Sequence, residues 1–229
     1  MWLLAEYEPS SLFSLRNSAS TSSGGRTNLC PTMYAVKMAL IAAAFEAGGD
    51  GRRVFDTLKT APVRIRPSRW AVVNNCFIKI QREPHDRGGA AFEPTVAYRE
   101  FVFLSGPFTV AVGTDGWDRA DRELVASLFP RVNYFGKRGS FVQFRGMSQS
   151  DALDSGFSYV MGDERERLSP DMVVQFLDDF GPGVTFEAVN TYSPRRARLG
   201  RDRVILPVAL PYRRKASSRT YTLYERTVG

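Results

Sequence analysis

Residues Asn133-Tyr134-Phe135-Gly136-Lys137-Arg138-Gly139-Ser140-Phe141 set two glycines three apart around a Lys-Arg pair. Glycine has no Cβ, so main-chain N–H groups there can approach a phosphate closely. Lys137 and Arg138 add positive charge, and the rings of Tyr134 and Phe135 offer faces for stacking bases. A hairpin turn with a solvated Lys-Arg tip fits the same residues. The GxxxxGK[ST] spacing of a nucleotide-binding P-loop is missing, which excludes that chemistry.

Two arginine clusters offer a second kind of phosphate contact. They are Arg64-Ile65-Arg66-Pro67-Ser68-Arg69 and Arg195-Arg196-Ala197-Arg198. A guanidinium grips phosphate oxygens with a two-pronged fork, so clustered arginine suits a nucleic-acid backbone. A charged, solvated surface is the alternative for each. The net charge of +7 is unevenly spread: residues 195–229 hold 10 Lys/Arg against 2 Asp/Glu, and the rest of the chain is close to neutral. A concentrated cationic segment favours a polyanion and releases its counterions, the electrostatic signature of nucleic-acid binding.

Enzymatic chemistry is poorly supplied. His85 is the one histidine, in a Pro/Gly-rich segment, so Ser/His/Asp and Cys/His arrangements have few candidates for the base. A metal-free ribonuclease using His85 with a tyrosine and a lysine on a ribose 2′-hydroxyl is the enzymatic alternative. Cys30 and Cys76 lack ligand spacing, and Asp178-Asp179 is read as a solvated face, so no metal and no cofactor are expected. The longest apolar stretch, Met38 to Phe45, is far short of the roughly 20 residues that span a bilayer, and Glu6 and Glu8 interrupt any signal-like start. A cytoplasmic protein with reduced thiols and no membrane partner is expected.

The elements that must hold these residues follow from pattern and punctuation. Trp2 to Glu8 alternates as a strand, and Ser10 to Asn28 is a long polar loop. Thr32 opens a helix to about Ala47, stopped by Gly48-Gly49, whose one polar residue between Tyr34 and Phe45 is Lys37. Arg52 to Leu58 suggests a short helix. Val72 to Gln81 and Tyr98 to Leu104 predict a hairpin with an extended tip, followed by a strand at Phe108 to Val112. Asp115 is the expected N-cap of a helix from Gly116 to Phe129, and Asn133 to Arg145 gives the Gly-containing turn and a strand. Strand, helix, strand, strand, helix, strand is the βαββαβ order of ferredoxin-like and RNA-recognition (RRM-like) folds, so the fold class is α+β with a β-rich C-terminal extension. Two units are expected, residues 1–148 and 149–229. In the second, Ser169-Pro170-Asp171 predicts a helix start, with Val173, Phe176, Leu177 and Phe180 as its apolar face. Val184 to Val189, Arg203 to Leu210 and Arg219 to Arg226 read as strands.

The helix opened by Cys30-Pro31-Thr32-Met33-Tyr34-Ala35-Val36-Lys37-Met38-Ala39-Leu40, the long loop before it and the Gly-rich Asn133 to Phe141 segment together resemble the CRISPR-associated RAMP superfamily. Within it, residues 1 to about 148 are most similar to the fifth Cas protein family of type I systems. The resemblance implies a non-enzymatic subunit of a Cascade complex that caps the 5′ handle of the guide RNA (crRNA). It implies contacts from Arg16, Arg26, Lys37, Tyr134, Gly136, Lys137, Arg138 and Gly139, with the clusters Arg64, Arg66, Arg69 and Arg195, Arg196, Arg198 as further RNA-binding candidates. A β-hairpin thumb between the second and third strands, about Phe77 to Phe101, would carry Arg82, His85 and Arg87 near its tip. The implied neighbours are a backbone RAMP subunit and a large subunit, with target DNA as an indirect partner and direct contact with it left open. One branch of that family cuts precursor guide RNA, which keeps His85 as the catalytic alternative.

Overall fold

The computed structural model describes residues 1–17, 20, 24–82, 92–162 and 171–227. In chain order the elements are β1 (Trp2–Pro9), β2 (Gly24–Gly25), α1 (Met33–Glu46), α2 (Gly51–Leu58), β3 (Val63–Arg66), β4 (Trp70–Arg82), β5 (Glu93–Ser105) and β6 (Phe108–Gly113). They continue with α3 (Arg119–Leu128), β7 (Val142–Ser150), β8 (Tyr159–Val160), β9 (Val173–Phe180), α4 (Phe186–Val189), β10 (Arg203–Leu210), β11 (Tyr212–Ser217) and β12 (Tyr221–Arg226).

β1 shows the alternation of a half-buried strand, since Leu3, Ala5 and Tyr7 are all fully buried. It lies inside a four-stranded antiparallel sheet of order β3-β6-β1-β7. Tyr7 anchors the core: its ring meets Phe108, Phe135 and Phe144, and its hydroxyl donates to the Phe129 carbonyl at 2.8 Å. A buried tyrosine needs that partner for its one polar atom.

α1 begins where expected, because Thr32 Oγ1 accepts from the Ala35 N–H at 3.1 Å and satisfies one of the open amides of the first turn. It ends on Gly48, whose φ of 72° only glycine adopts without strain. Val36, Leu40, Ile41 and Ala44 face the core, whereas Tyr34, Met38, Ala39 and Ala42 face outward into a cleft.

The long hairpin forms, with β4 and β5 paired from Trp70↔Ser105 to Arg82↔Glu93. It does not supply the second and third strands of the first sheet, as expected; β3 and β6 take those places. The hairpin instead joins a five-stranded sheet of order β11-β12-β4-β5-β2. β3 was missed because its four residues, Val63-Arg64-Ile65-Arg66, look like a basic cluster although Val63 and Ile65 are buried.

Three further expectations are corrected. Asp115 sits in a turn, and the N-cap of α3 is Asp118, whose carboxylate accepts from the Asp121 N–H at 2.7 Å. The predicted helix over Val173 to Phe180 is the strand β9, paired antiparallel with β10 along its whole length. Its assumed start at Ser169-Pro170 lies outside the described residues. The expected strand from Val184 to Val189 contains instead the short helix α4. C-terminal strands thus share a sheet with the hairpin, and β9 packs on α1.

Candidate nucleic-acid interface

The Gly-rich segment between the single-turn helix Phe129–Arg131 and β7 is a tight turn. Tyr134 and Phe141 bridge its base, the Ser140 N–H donates to the Lys137 carbonyl at 3.1 Å, and Phe135 is buried against Tyr7. Gly136 and Gly139 both have positive φ, 73° and 103°. A Cβ on Gly136 would lie 2.6 Å from Leu15, so this glycine also lets the polar loop before α1 press against the turn. With the turn's base and Phe135 pinned, Lys137 and Arg138 project to solvent.

These two cations line a cleft of about 770 Å³ whose floor is the outer face of α1. Arg16 and Arg131 border it, and Tyr34, Tyr134 and Tyr192 supply rings. On the far side stands Arg203, whose Nε and Nη2 both reach Asp178 Oδ2, at 2.7 and 2.6 Å, and whose guanidinium lies 4.7 Å from the Tyr34 ring centre. Burial, with Asp178 adding to it and Arg203 opposing, raises the Tyr34 hydroxyl above its ordinary value, so it is a neutral donor at physiological pH. The arrangement suits a single-stranded polyanion: cations for phosphates, with rings and a stacked guanidinium for bases, line the same cleft.

Of the sequence candidates, Arg16, Tyr134, Gly136, Lys137 and Arg138 meet at this cleft, with Gly139 closing the same turn. Arg26 is exposed, among Tyr98 and Tyr224 on the five-stranded sheet. Lys37 is a correction: it is 1% exposed and ion-paired with Asp179 at 2.8 Å, so it cannot reach an RNA backbone. Burial lowers its pKa. Asp178 and Asp179 are correspondingly not a solvated face, since Asp178 is 4% exposed. Arg64, Arg66 and Arg69 lie along β3 and the corner after it, and none of them lines the cleft.

Arg195, Arg196 and Arg198 are exposed on the segment between Tyr192 and Arg203. Asp202, fully buried, fixes that segment: its Oδ2 accepts from the Arg198 N–H at 2.9 Å, and Arg195 stands 3.6 Å from Oδ1. Arg82 pairs with Glu93 across the hairpin at 3.5 Å, whereas His85 and Arg87 lie outside the described residues. Sequence reasoning missed Arg131, Tyr34, Tyr192 and Arg203. No local motif marks them, although Arg203 opens a strand that the pattern did reveal. Among the described residues no group of His, Cys, Asp and Glu is placed to hold a metal, and no helix is long and apolar enough to cross a membrane.

No family model matches the chain. The CRISPR-associated protein Cas5 of Archaeoglobus fulgidus is 24% identical over 204 residues, spanning 86% of this chain and 87% of that protein. Among solved structures, a CRISPR protein from Archaeoglobus fulgidus superposes with a TM-score of 0.50 at 13% identity, over 98% of this chain and 91% of that one. A chain of a CRISPR RNA-guided surveillance complex gives a TM-score of 0.45 at 15% identity, over 92% and 91%. Sequence similarity across most of both chains, joined to a shared fold, supports the resemblance of this chain to the Cas5 family of CRISPR-associated proteins.

Proposed function

We propose that this chain binds the 5′ handle of crRNA in a type I interference complex, holding its backbone in the cleft over α1 without cutting it. The observation that carries this reading is the convergence of Lys137 and Arg138, on a turn braced by two positive-φ glycines, with Arg16 and Arg131 beside an aromatic wall. The order β3-β6-β1-β7, with α1 and α3 as the intervening helices, supports a ferredoxin-like, RRM-like domain. The β4–β5 hairpin leaves that domain between its second and third strands, the place of a thumb. A backbone RAMP subunit against the hairpin and a large subunit beside the basic segment complete the assembly, and target DNA is met indirectly.

The test is binding of a labelled handle RNA to the purified chain across a salt series. Lys137→Glu with Arg138→Glu lowers affinity by at least tenfold at about 0.1 M salt and flattens the salt slope by about 1.4, close to 0.7 per lost phosphate contact. Unchanged affinity in a folded variant overturns the assignment of the cleft. Endoribonuclease action is the second reading, and it stands or falls with His85→Ala: abolished cleavage of a repeat-containing RNA establishes the enzyme.

A further inference from the structure

The five-stranded sheet has two unlike faces. Ala71, Val73, Val102 and Leu104 point into the core, and the residues that alternate with them on β4 and β5 point away from it. On that outward face the strand register sets Phe103 beside Val72 and Val72 beside Leu223, with Phe101 and Tyr221 in the next row and Trp70 in the row before. None of these six is buried, and Phe103 is 53% exposed and Tyr221 38%. They stand outside the core cluster, and none of them lines the cleft over α1.

The sheet itself spaces the rings. Phe101 and Phe103 are two residues apart on β5, roughly 7 Å; Trp70 is one strand over and one row along from Phe103, roughly 8 Å; and Tyr221 is two strands from Phe101, roughly 10 Å. Rings at such intervals on an open antiparallel sheet are what stack two or three successive bases in RNA-recognition domains. Asn74, in the row between Phe101 and Tyr221, and Ser105, beside Trp70, add polar groups that can hydrogen-bond base edges.

The charge bordering this face is positive. β11, an edge strand, carries Arg213-Arg214-Lys215, and the one carboxylate of Glu225 takes both Arg213, at 3.0 Å, and Lys215, at 3.3 Å. Arg69, exposed, has its guanidinium 6.0 Å from the Trp70 ring centre. Two cations on one carboxylate leave that edge positive, which suits a polyanion and disfavours a second copy of this chain carrying the same charges. Three strands and five residues make a face of roughly 14 by 17 Å, about 240 Å², far under the ~800 Å² that each side of a stable protein interface covers. We propose that the outward face of β4, β5 and β12 binds the unpaired bases of a single-stranded nucleic acid, which stack on Trp70, Phe101, Phe103 and Tyr221. The site stands whether or not the cleft holds a crRNA handle.

The test uses the full chain with three labelled probes: a 30-nucleotide single-stranded RNA without a handle sequence, the single-stranded DNA of the same sequence, and a 30-base-pair DNA duplex. Phe103→Leu keeps an apolar side chain but removes the ring, and is expected to weaken at least one single strand about tenfold at about 0.1 M salt, with the salt slope unchanged because no charge is lost. Phe103→Trp retains the affinity, and the duplex, whose bases are already stacked, binds parent and variant alike. Loss for RNA alone names RNA as the occupant, loss for DNA alone names DNA, and loss for both shows that the sugar is not read. Unchanged binding of both single strands by folded Phe103→Leu overturns the proposal and leaves the face to a protein partner; an equal loss for the duplex overturns it as well. Should Phe103→Leu fail to fold, Tyr221→Leu, at the other exposed ring, decides the same question. Normal handle binding by Lys137→Glu with Arg138→Glu, beside a loss in Phe103→Leu, removes the cleft reading and leaves this one, and the reverse result removes this one alone.

Discussion

Lys37 Nζ lies 2.8 Å from Asp179 Oδ1, an ion pair between α1 and β9 in which the lysine side chain is 2% exposed and the aspartate side chain 16%. The same lysine lies 5.2 Å from the centre of the Phe180 ring. Such a pair earns little against water, but breaking it strands a buried charge.

Lys37→Met is therefore expected to destabilise the fold by about 3 kcal/mol, because Asp179 then loses its partner where water reaches it only in part. Lys37→Met with Asp179→Leu restores most of that loss, since two apolar side chains need no partner. Denaturant unfolding of the two single variants and the double variant measures the coupling. A loss in the double variant equal to the sum of the two single losses would show that the pair contributes nothing.

This pair also shows what the sequence could and could not disclose. The start and stop of α1 were legible because Thr32 and Gly48 act through their own backbone neighbours. The role of Lys37 was not, because its partner is 142 residues away on a segment whose spacing imitates a helix. Val173, Phe176, Leu177 and Phe180 recur at helical intervals, yet Phe176 is 53% exposed and Leu177 1%, as strand pairing with β10 dictates. Half of the cleft was likewise legible. The Gly-rich turn announces itself locally, whereas Arg203, Tyr34 and Tyr192 join it only through packing of α1 against the C-terminal segment, and Arg131, just ahead of the turn, carries no motif of its own.

The glycines of the turn separate into two kinds. An alanine at Gly136 adopts a disfavoured φ and also drives its Cβ into Leu15, whereas nothing lies within 4 Å of a Cβ at Gly139. Gly136→Ala should lower stability by about 2 kcal/mol and weaken handle binding, and Gly139→Ala should cost about 1 kcal/mol. Thermal melts together with RNA titrations check this order. A reversed order would mean that Leu15 yields without cost.

The buried acids of the core set an alkaline limit. Burial pushes the Cys30 thiol up from 9.0 to about 12, and also raises Tyr7 and Tyr212 well above their ordinary values. For a group raised on folding, the stabilisation is complete below the unfolded pKa and lost as pH climbs towards the folded one. Stability should thus fall from about pH 9 upward, by up to about 1.4 kcal/mol per pH unit for each such group. Urea midpoints from pH 8 to 11 test the slope. At pH 8 iodoacetamide should label the exposed Cys76 and spare Cys30 until the chain unfolds.

Asp178 gives a prediction of opposite sign for stability and binding. Its carboxylate lines the cleft and takes both prongs of Arg203, so it fixes that guanidinium over Tyr34 while cancelling its charge. Asp178→Asn keeps the shape and a hydrogen-bond acceptor but removes the negative charge, which should cost about 1–2 kcal/mol of stability. Arg203 then adds an uncompensated positive charge to the wall of the cleft. Handle RNA should bind several-fold more tightly at low salt, with a steeper salt slope. Measured against the parent chain under matched ionic strength, a drop in affinity at unchanged slope would instead mean that the oriented guanidinium serves as a stacking surface and that its fixed position outweighs its charge.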